Sequence, residues 1–175
     1  AGAARGELAA AYHRIRDGLG FRKSPGEYGA FPTDAYSHTP RHAGAQQPGM
    51  TGQVKEEVLT RLGEFGVHIE GGRVRFAPEL LPSEELLEKP ERFAYLDATG
   101  REAAVDVPAG GVAFTLCQVP VVYRFGAVNP GITVCRGAAA ERLTGDTVPA
   151  AVAAEIFRRS GTVTALEVAF AGERR

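Results

Sequence analysis

The chain has 175 residues, enough for one domain, or a small domain with an appendage, around a buried core. Its composition, 44% apolar and 23% charged, is that of an ordinary folded protein. With 20 basic and 21 acidic residues the formal net charge is −1, which points away from nucleic acid and anionic membrane as partners.

No apolar run approaches the roughly 18 residues needed to span a bilayer, so no membrane partner is expected. Whether the chain works in the cytoplasm or after export stays open. The opening tract AGAARGELAA reads as a segment that begins inside a longer protein. Leu8, Tyr12, Ile15 and Leu19 then recur at helical spacing and form a narrow apolar stripe, which Gly18 and Gly20 bring to an end.

Phe21 to Thr51 has no period. Pro25, Pro32, Pro40 and Pro48, with Gly26, Gly29, Gly44 and Gly49, leave room for neither a helix nor a long strand. A loop of this length is functional or disordered. Phe21, Tyr28, Phe31 and Tyr36, with His38 and His42, favour an ordered, functional loop, because disordered segments are poor in aromatics. His38 and His42 have H-x3-H spacing, but Pro40 breaks the helix that would align them. No Cys or acidic partner is evident, so no metal site is expected. The chain has no nucleotide-binding glycine motif and no nucleophile elbow, and no cofactor is expected.

GAQQPGMTGQVKEEVLTRL passes abruptly from glycines and amides into a helix over about Gly52 to Phe65, with Thr51 as its cap. Val54, Val58, Leu59, Leu62 and Phe65 form one apolar arc, with Glu57 and Arg61 as an i,i+4 pair at its edge. Lys55 falls inside that arc. Either its stem snorkels past the helix end to water, or Lys55, Gln53 and Glu57 line a polar pocket closed by the glycine-rich approach. The first helical N–H groups would favour an anionic or hydroxyl-rich ligand there.

From about Gly66 the pattern is β. VHIEGGRVRF reads as two alternating strands around Gly71-Gly72, and RFAYLDATGREAAVDV as a second hairpin through Asp97-Ala98-Thr99-Gly100. PSEELLEK suggests a helical turn between them. GVAFTLCQVPVVYRF is apolar on both faces until Pro120, as in a central strand that meets a bend or an edge. GITVCRG and TVTALEVAF predict further strands, the last with Leu166, Val168 and Phe170 on one face. VPAAVAAEIFRRSG predicts a short helix with Pro149 near its first turn and Gly161 as C-cap.

About seven short strands at this spacing predict an antiparallel β-sandwich. The expected class is mainly β with N-terminal helices (α+β), in which residues 1–65 are a helix-loop-helix segment and 66–175 a β-sandwich-like domain. Cys117 and Cys135 are expected to be buried as small hydrophobes, with a cross-strand disulfide as the alternative.

A helix, then RKSPGEYGAFPTDAYSHTPRHAGAQQPGMTGQVKEEVLTRLGEFGV, then a β-rich tail resembles the closing section of a bacterial six-hairpin glycosidase-like protein. In such proteins an (α/α) barrel of helical hairpins holds a carbohydrate site, and a β-domain packs beside it. The resemblance covers roughly Ala1 to Phe65, and the tail matches as an accessory β-domain. It implies a carbohydrate ligand and makes Tyr36, His38, Gln46, Gln47, Gln53, Lys55 and Glu57 candidate contacts. It also implies a larger polypeptide, or a partner chain that supplies the barrel, because this chain has one or two good helices.

Glycoside hydrolysis needs two carboxylates roughly 5 to 9.5 Å apart. Asp34, Glu56 and Glu57 are the only acidic residues near enough to nominate, so the catalytic residues stay unassigned and catalysis by this chain alone is not expected. Two functions follow: the terminal segment of a glycoside hydrolase-like protein whose 28–57 stretch borders a sugar site, or a non-catalytic β-sandwich module for binding or scaffolding.

Overall fold

The computed structural model describes residues 6–13 and 53–172, the side chains of 53–57 excepted. The chain divides into two compact units, Ala1–Glu64 and Phe65–Arg175. In the first unit, residues 6–13 are helical (α1) and a second helix, α2, runs over Gln53–Glu64. The Tyr12 hydroxyl donates to Glu64 Oε1 at 2.5 Å and so ties the two helices together. The expected apolar arc of α2 is only partly covered, since Val58 and Leu59 are 55% and 68% exposed. Glu64 is instead the buried residue of that turn, at 3% exposure, because Tyr12 and the Arg61 guanidinium satisfy its carboxylate.

The second unit is mainly β. Strands β1 (Val67–Glu70) and β2 (Arg73–Phe76) form a hairpin through Gly71 and Gly72. Both glycines have positive φ, 54° and 74°, as a type I′ turn requires. Just before β1, Gly66 also has positive φ, and a Cβ there would collide with the Ala77 carbonyl.

A 3-10 turn at Ser83–Glu85 leads to the two-stranded ribbon β3 (Glu91–Leu96) and β4 (Glu102–Val107). Strands β5 (Val112–Leu116) and β6 (Val119–Arg124) follow, then β7 (Gly131–Arg136), β8 (Ala139–Leu143) and the short β9 (Thr147–Val148). Helix α3 (Ala150–Phe157) and strand β10 (Ala165–Ala169) complete the unit.

The run read from sequence as a single central strand is a hairpin. It reverses at Cys117-Gln118, where both residues have positive φ, 51° and 67°, and Leu116 pairs with Val119. Pro120 is the second residue of β6 and lies just before the ladder to β10, which begins at Val121. Its missing N–H therefore costs nothing on that side.

The end of α3 also differs from expectation. Arg159, with φ of 51°, takes the left-handed position and Gly161 lies beyond it. The N–H of Ser160 reaches the Glu155 carbonyl at 3.3 Å and that of Arg159 the Ile156 carbonyl at 2.9 Å, the two bonds of a Schellman motif.

The strands make a three-stranded sheet, β1-β2-β9, a five-stranded sheet, β5-β6-β10-β7-β8, and the β3–β4 ribbon. Pairing is antiparallel except that β10 runs parallel to β6. One face of the larger sheet carries Phe114, Val121, Tyr123, Leu166, Val168, Ile132 and Val134, all buried. Phe76 of β2 meets Tyr123 of β6 with ring centroids 5.8 Å apart, so the core lies between the two sheets, as in a sandwich.

Tyr123 is the hub of this core. Phe65, Phe76, Phe114, Phe125 and Phe170 all stand edge-on to it, and its hydroxyl donates to the Phe65 carbonyl at 2.7 Å. Val152, Ala153 and Ile156 form the buried side of α3.

Candidate functional site

Tyr36, His38, Gln46 and Gln47 lie outside the described residues, as do His42, Asp34 and the side chains of Gln53, Lys55, Glu56 and Glu57. The backbone of α2 places Gln53 at its first helical position, directly after the glycine-rich approach. No helix among the described residues is long and apolar enough to cross a membrane, and none of their His, Cys, Asp and Glu side chains group to hold a metal.

Several polar constellations in the second unit are structural. The Asp97 carboxylate accepts hydrogen bonds from the Thr99 hydroxyl at 2.7 Å, the Thr99 N–H at 2.8 Å and the Arg101 N–H at 3.0 Å. These bonds, the Thr99 hydroxyl first, hold its pKa below the ordinary 3.8. The neighbouring Tyr95 hydroxyl is pushed up, first by burial and then by the Asp97 charge. Gln118 Nε2 donates to the Asp97 carbonyl at 3.1 Å and latches the β5–β6 turn to this loop. Arg136 clamps Glu155 of α3 through both carboxylate oxygens, at 2.5 and 3.1 Å.

The thiols correct the sequence reading: both are free and half-buried. Cys117 sits in the β5–β6 turn, outside the strand ladder. Cys135 is on the face of β7 opposite the core, and burial first, then the Glu167 charge, pushes its pKa up. Strand β10 separates β6 from β7, a gap of about two strand spacings, near 9.6 Å. That exceeds the Cα separation a disulfide spans, so the two do not pair.

One surface feature of the second unit was not nominated from sequence. An open groove of about 410 Å³ lies at one end of the sandwich. Phe125 and Phe170, stacked with centroids 5.2 Å apart and planes 17° from parallel, form one wall. The Phe170 N–H bonds the Arg124 carbonyl at 2.8 Å and the Ala127 N–H bonds the Phe170 carbonyl at 3.0 Å, so the strand ends that carry the rings are tied together.

Across the groove, Arg75 and Asp146 stand 4.0 Å apart, each about half exposed, and the Phe76 N–H holds the Asp146 carbonyl at 2.9 Å. Pro78 and Glu79 complete the lining. Phe125 and Phe170 each follow a strand end, and only the β6–β10 pairing brings them together.

No protein-family model matches the chain, and no curated protein matches it.

Proposed function

We propose that the chain is the terminal segment of a carbohydrate-active, glycoside hydrolase-like protein, with residues 28–57 bordering a sugar site. The observation that supports this reading most is the start of α2 at Gln53, immediately after Gly44 to Thr51. The first N–H groups of that helix have no intrahelical partner, so they favour a hydroxyl-rich or anionic ligand beside the glycine-rich approach. The order of elements, helices and then a β unit, agrees with the resemblance to the end of a six-hairpin glycosidase-like protein. In this reading Tyr36 and His38 supply ring faces for the sugar, and Gln46, Gln47, Gln53, Lys55 and Glu57 hydrogen-bond its hydroxyls. The catalytic carboxylates come from the rest of the protein.

Lys55→Met in the intact protein tests it, because Met keeps the stem and removes the charge. Binding of the substrate saccharide, or turnover, is expected to fall by about tenfold, the loss of one charged hydrogen bond, with the melting temperature nearly unchanged. Unchanged binding and activity would mean that Lys55 snorkels to water.

A further inference from the structure

We propose that the outer edge of β3 binds a second copy of this chain, the two β3 strands pairing antiparallel about a two-fold axis and joining both ribbons into one four-stranded sheet. The inference does not rest on the loop-bordered sugar site and involves none of its residues.

The ribbon leaves both of its edges open. The Asp97 N–H bonds the Arg101 carbonyl at 2.9 Å, so antiparallel alternation makes Tyr95–Ala103, Phe93–Val105 and Glu91–Val107 the hydrogen-bonded pairs. The N–H and C=O groups of Arg92, Ala94 and Leu96 on β3, and of Glu102, Ala104 and Asp106 on β4, therefore point away from the ribbon. Among the described residues, no backbone bond from elsewhere reaches any of them. A ribbon of two strands is marginal by itself, and added strands relieve that.

The two edges differ in what they accept. If two β4 strands paired about Ala104, Glu102 would stand opposite Asp106 at both ends, acid against acid. Ala104 is also half-buried, whereas Ala94, its partner on β3, is exposed, so an approaching strand has more room at β3.

Pairing about Ala94 is self-complementary. It sets Arg92 opposite Leu96 of the second copy and Ala94 opposite Ala94, so every outward N–H and C=O of β3 finds a partner. Leu96, 54% exposed, comes under the aliphatic stem of Arg92. Across the four strands each such row then reads Asp106, Arg92, Leu96, Glu102, with one guanidinium between two carboxylates. On the other face Phe93 and Tyr95 stack with centroids 6.3 Å apart and planes 10° from parallel. They meet Tyr95 and Phe93 of the second copy at the closely spaced, non-bonded positions, which extends the stack across the axis. A slip of two residues destroys the match: Leu96 would face Pro90, which has no N–H, or Arg92 would face Ala98 in the turn. Glu91 against Asp97, at the ends of the paired stretch, is the one repulsive pair. Strands this short bury less than a permanent interface does, so the dimer is a reversible one.

Sedimentation velocity of the intact protein over a concentration series is expected to show a monomer passing into a dimer and no further. Ala94→Pro removes the central N–H without touching a β3–β4 bond, so it should hold the protein monomeric with an unchanged circular dichroism spectrum. Ala104→Pro, its counterpart on β4, should leave the dimer intact. Leu96→Lys sets like charge opposite Arg92 and should raise the dissociation constant by about tenfold, while Leu96→Glu should lower it. Within one copy residue 96 faces Glu102, so the two changes affect folding stability in the reverse order, which separates pairing from folding. Where Ala94→Pro disturbs the spectrum, the Leu96 variants decide. A monomer at every concentration would overturn the proposal. So would growth beyond a dimer, with β3 joining β4 of the next copy, a dimer that survives Ala94→Pro with its spectrum intact, or equal responses to Leu96→Lys and Leu96→Glu.

Discussion

Asp97 shows how much organisation one side chain in a surface loop imposes. Its carboxylate closes the β3–β4 loop by accepting from Thr99 twice and from the Arg101 N–H once, all of which favour the ionised form. The sign of the pH dependence follows. A carboxylate whose folded pKa is depressed stabilises the fold fully above its unfolded value and loses that contribution as pH falls through the folded one. The window therefore opens near the ordinary 3.8 and extends downward. Asp97→Ala should be less stable than the parent at neutral pH, and the gap should close as the solution is acidified below about 4. Urea midpoints of the pair measured along a pH series decide it, and a gap that stays constant to pH 2 would contradict the role given to this carboxylate.

At the scale of elements, what could be read from sequence and what could not separate on turn chemistry. The β1–β2 hairpin was legible because Gly71-Gly72 are the residues a type I′ turn asks for. The β5–β6 hairpin was hidden because its turn has the same positive φ at Cys117 and Gln118, residues that carry no turn signal. Arg159 at the end of α3 is a second such case, where Gly161 drew the eye instead. Strand β8, reading AAERL and mostly exposed, has no apolar alternation to announce it.

The hidden turn is testable: Asn tolerates the left-handed region better than Cys, so Cys117→Asn should stabilise the unit by about 0.5 kcal/mol. Gln118 keeps its bond to the Asp97 carbonyl in that variant. A lowered denaturation midpoint would mean that packing of the Cys117 side chain outweighs the backbone relief.

For the whole molecule, the class was legible and the sheet order was not. Alternation in TVTALEVAF correctly places Leu166 and Val168 on the core face, but period says nothing about which strands lie alongside. The groove at the end of the sandwich was invisible for the same reason, since Phe125 and Phe170 meet only through the pairing of β10 with β6. Because β10 is hydrogen-bonded on both sides, proline within it has no tolerant position. Glu167→Pro should unfold the second unit, with a cost of more than about 3 kcal/mol. The same change at Glu141, in edge strand β8, should be milder. Comparable thermal melts of the two variants would argue against the central placement of β10.

That placement also constrains how the protein is made. The strand that fills the middle of the five-stranded sheet is the last of the described strands to leave the ribosome. Until it arrives, β6 and β7 each present an unpaired edge toward the vacant slot, and the apolar face of Val121, Tyr123, Ile132 and Val134 is split in two. Consolidation of this unit therefore waits for β10 rather than proceeding strand by strand. Between the synthesis of β7 and that of β10 the nascent unit carries two sticky edges, a window of about thirty residues.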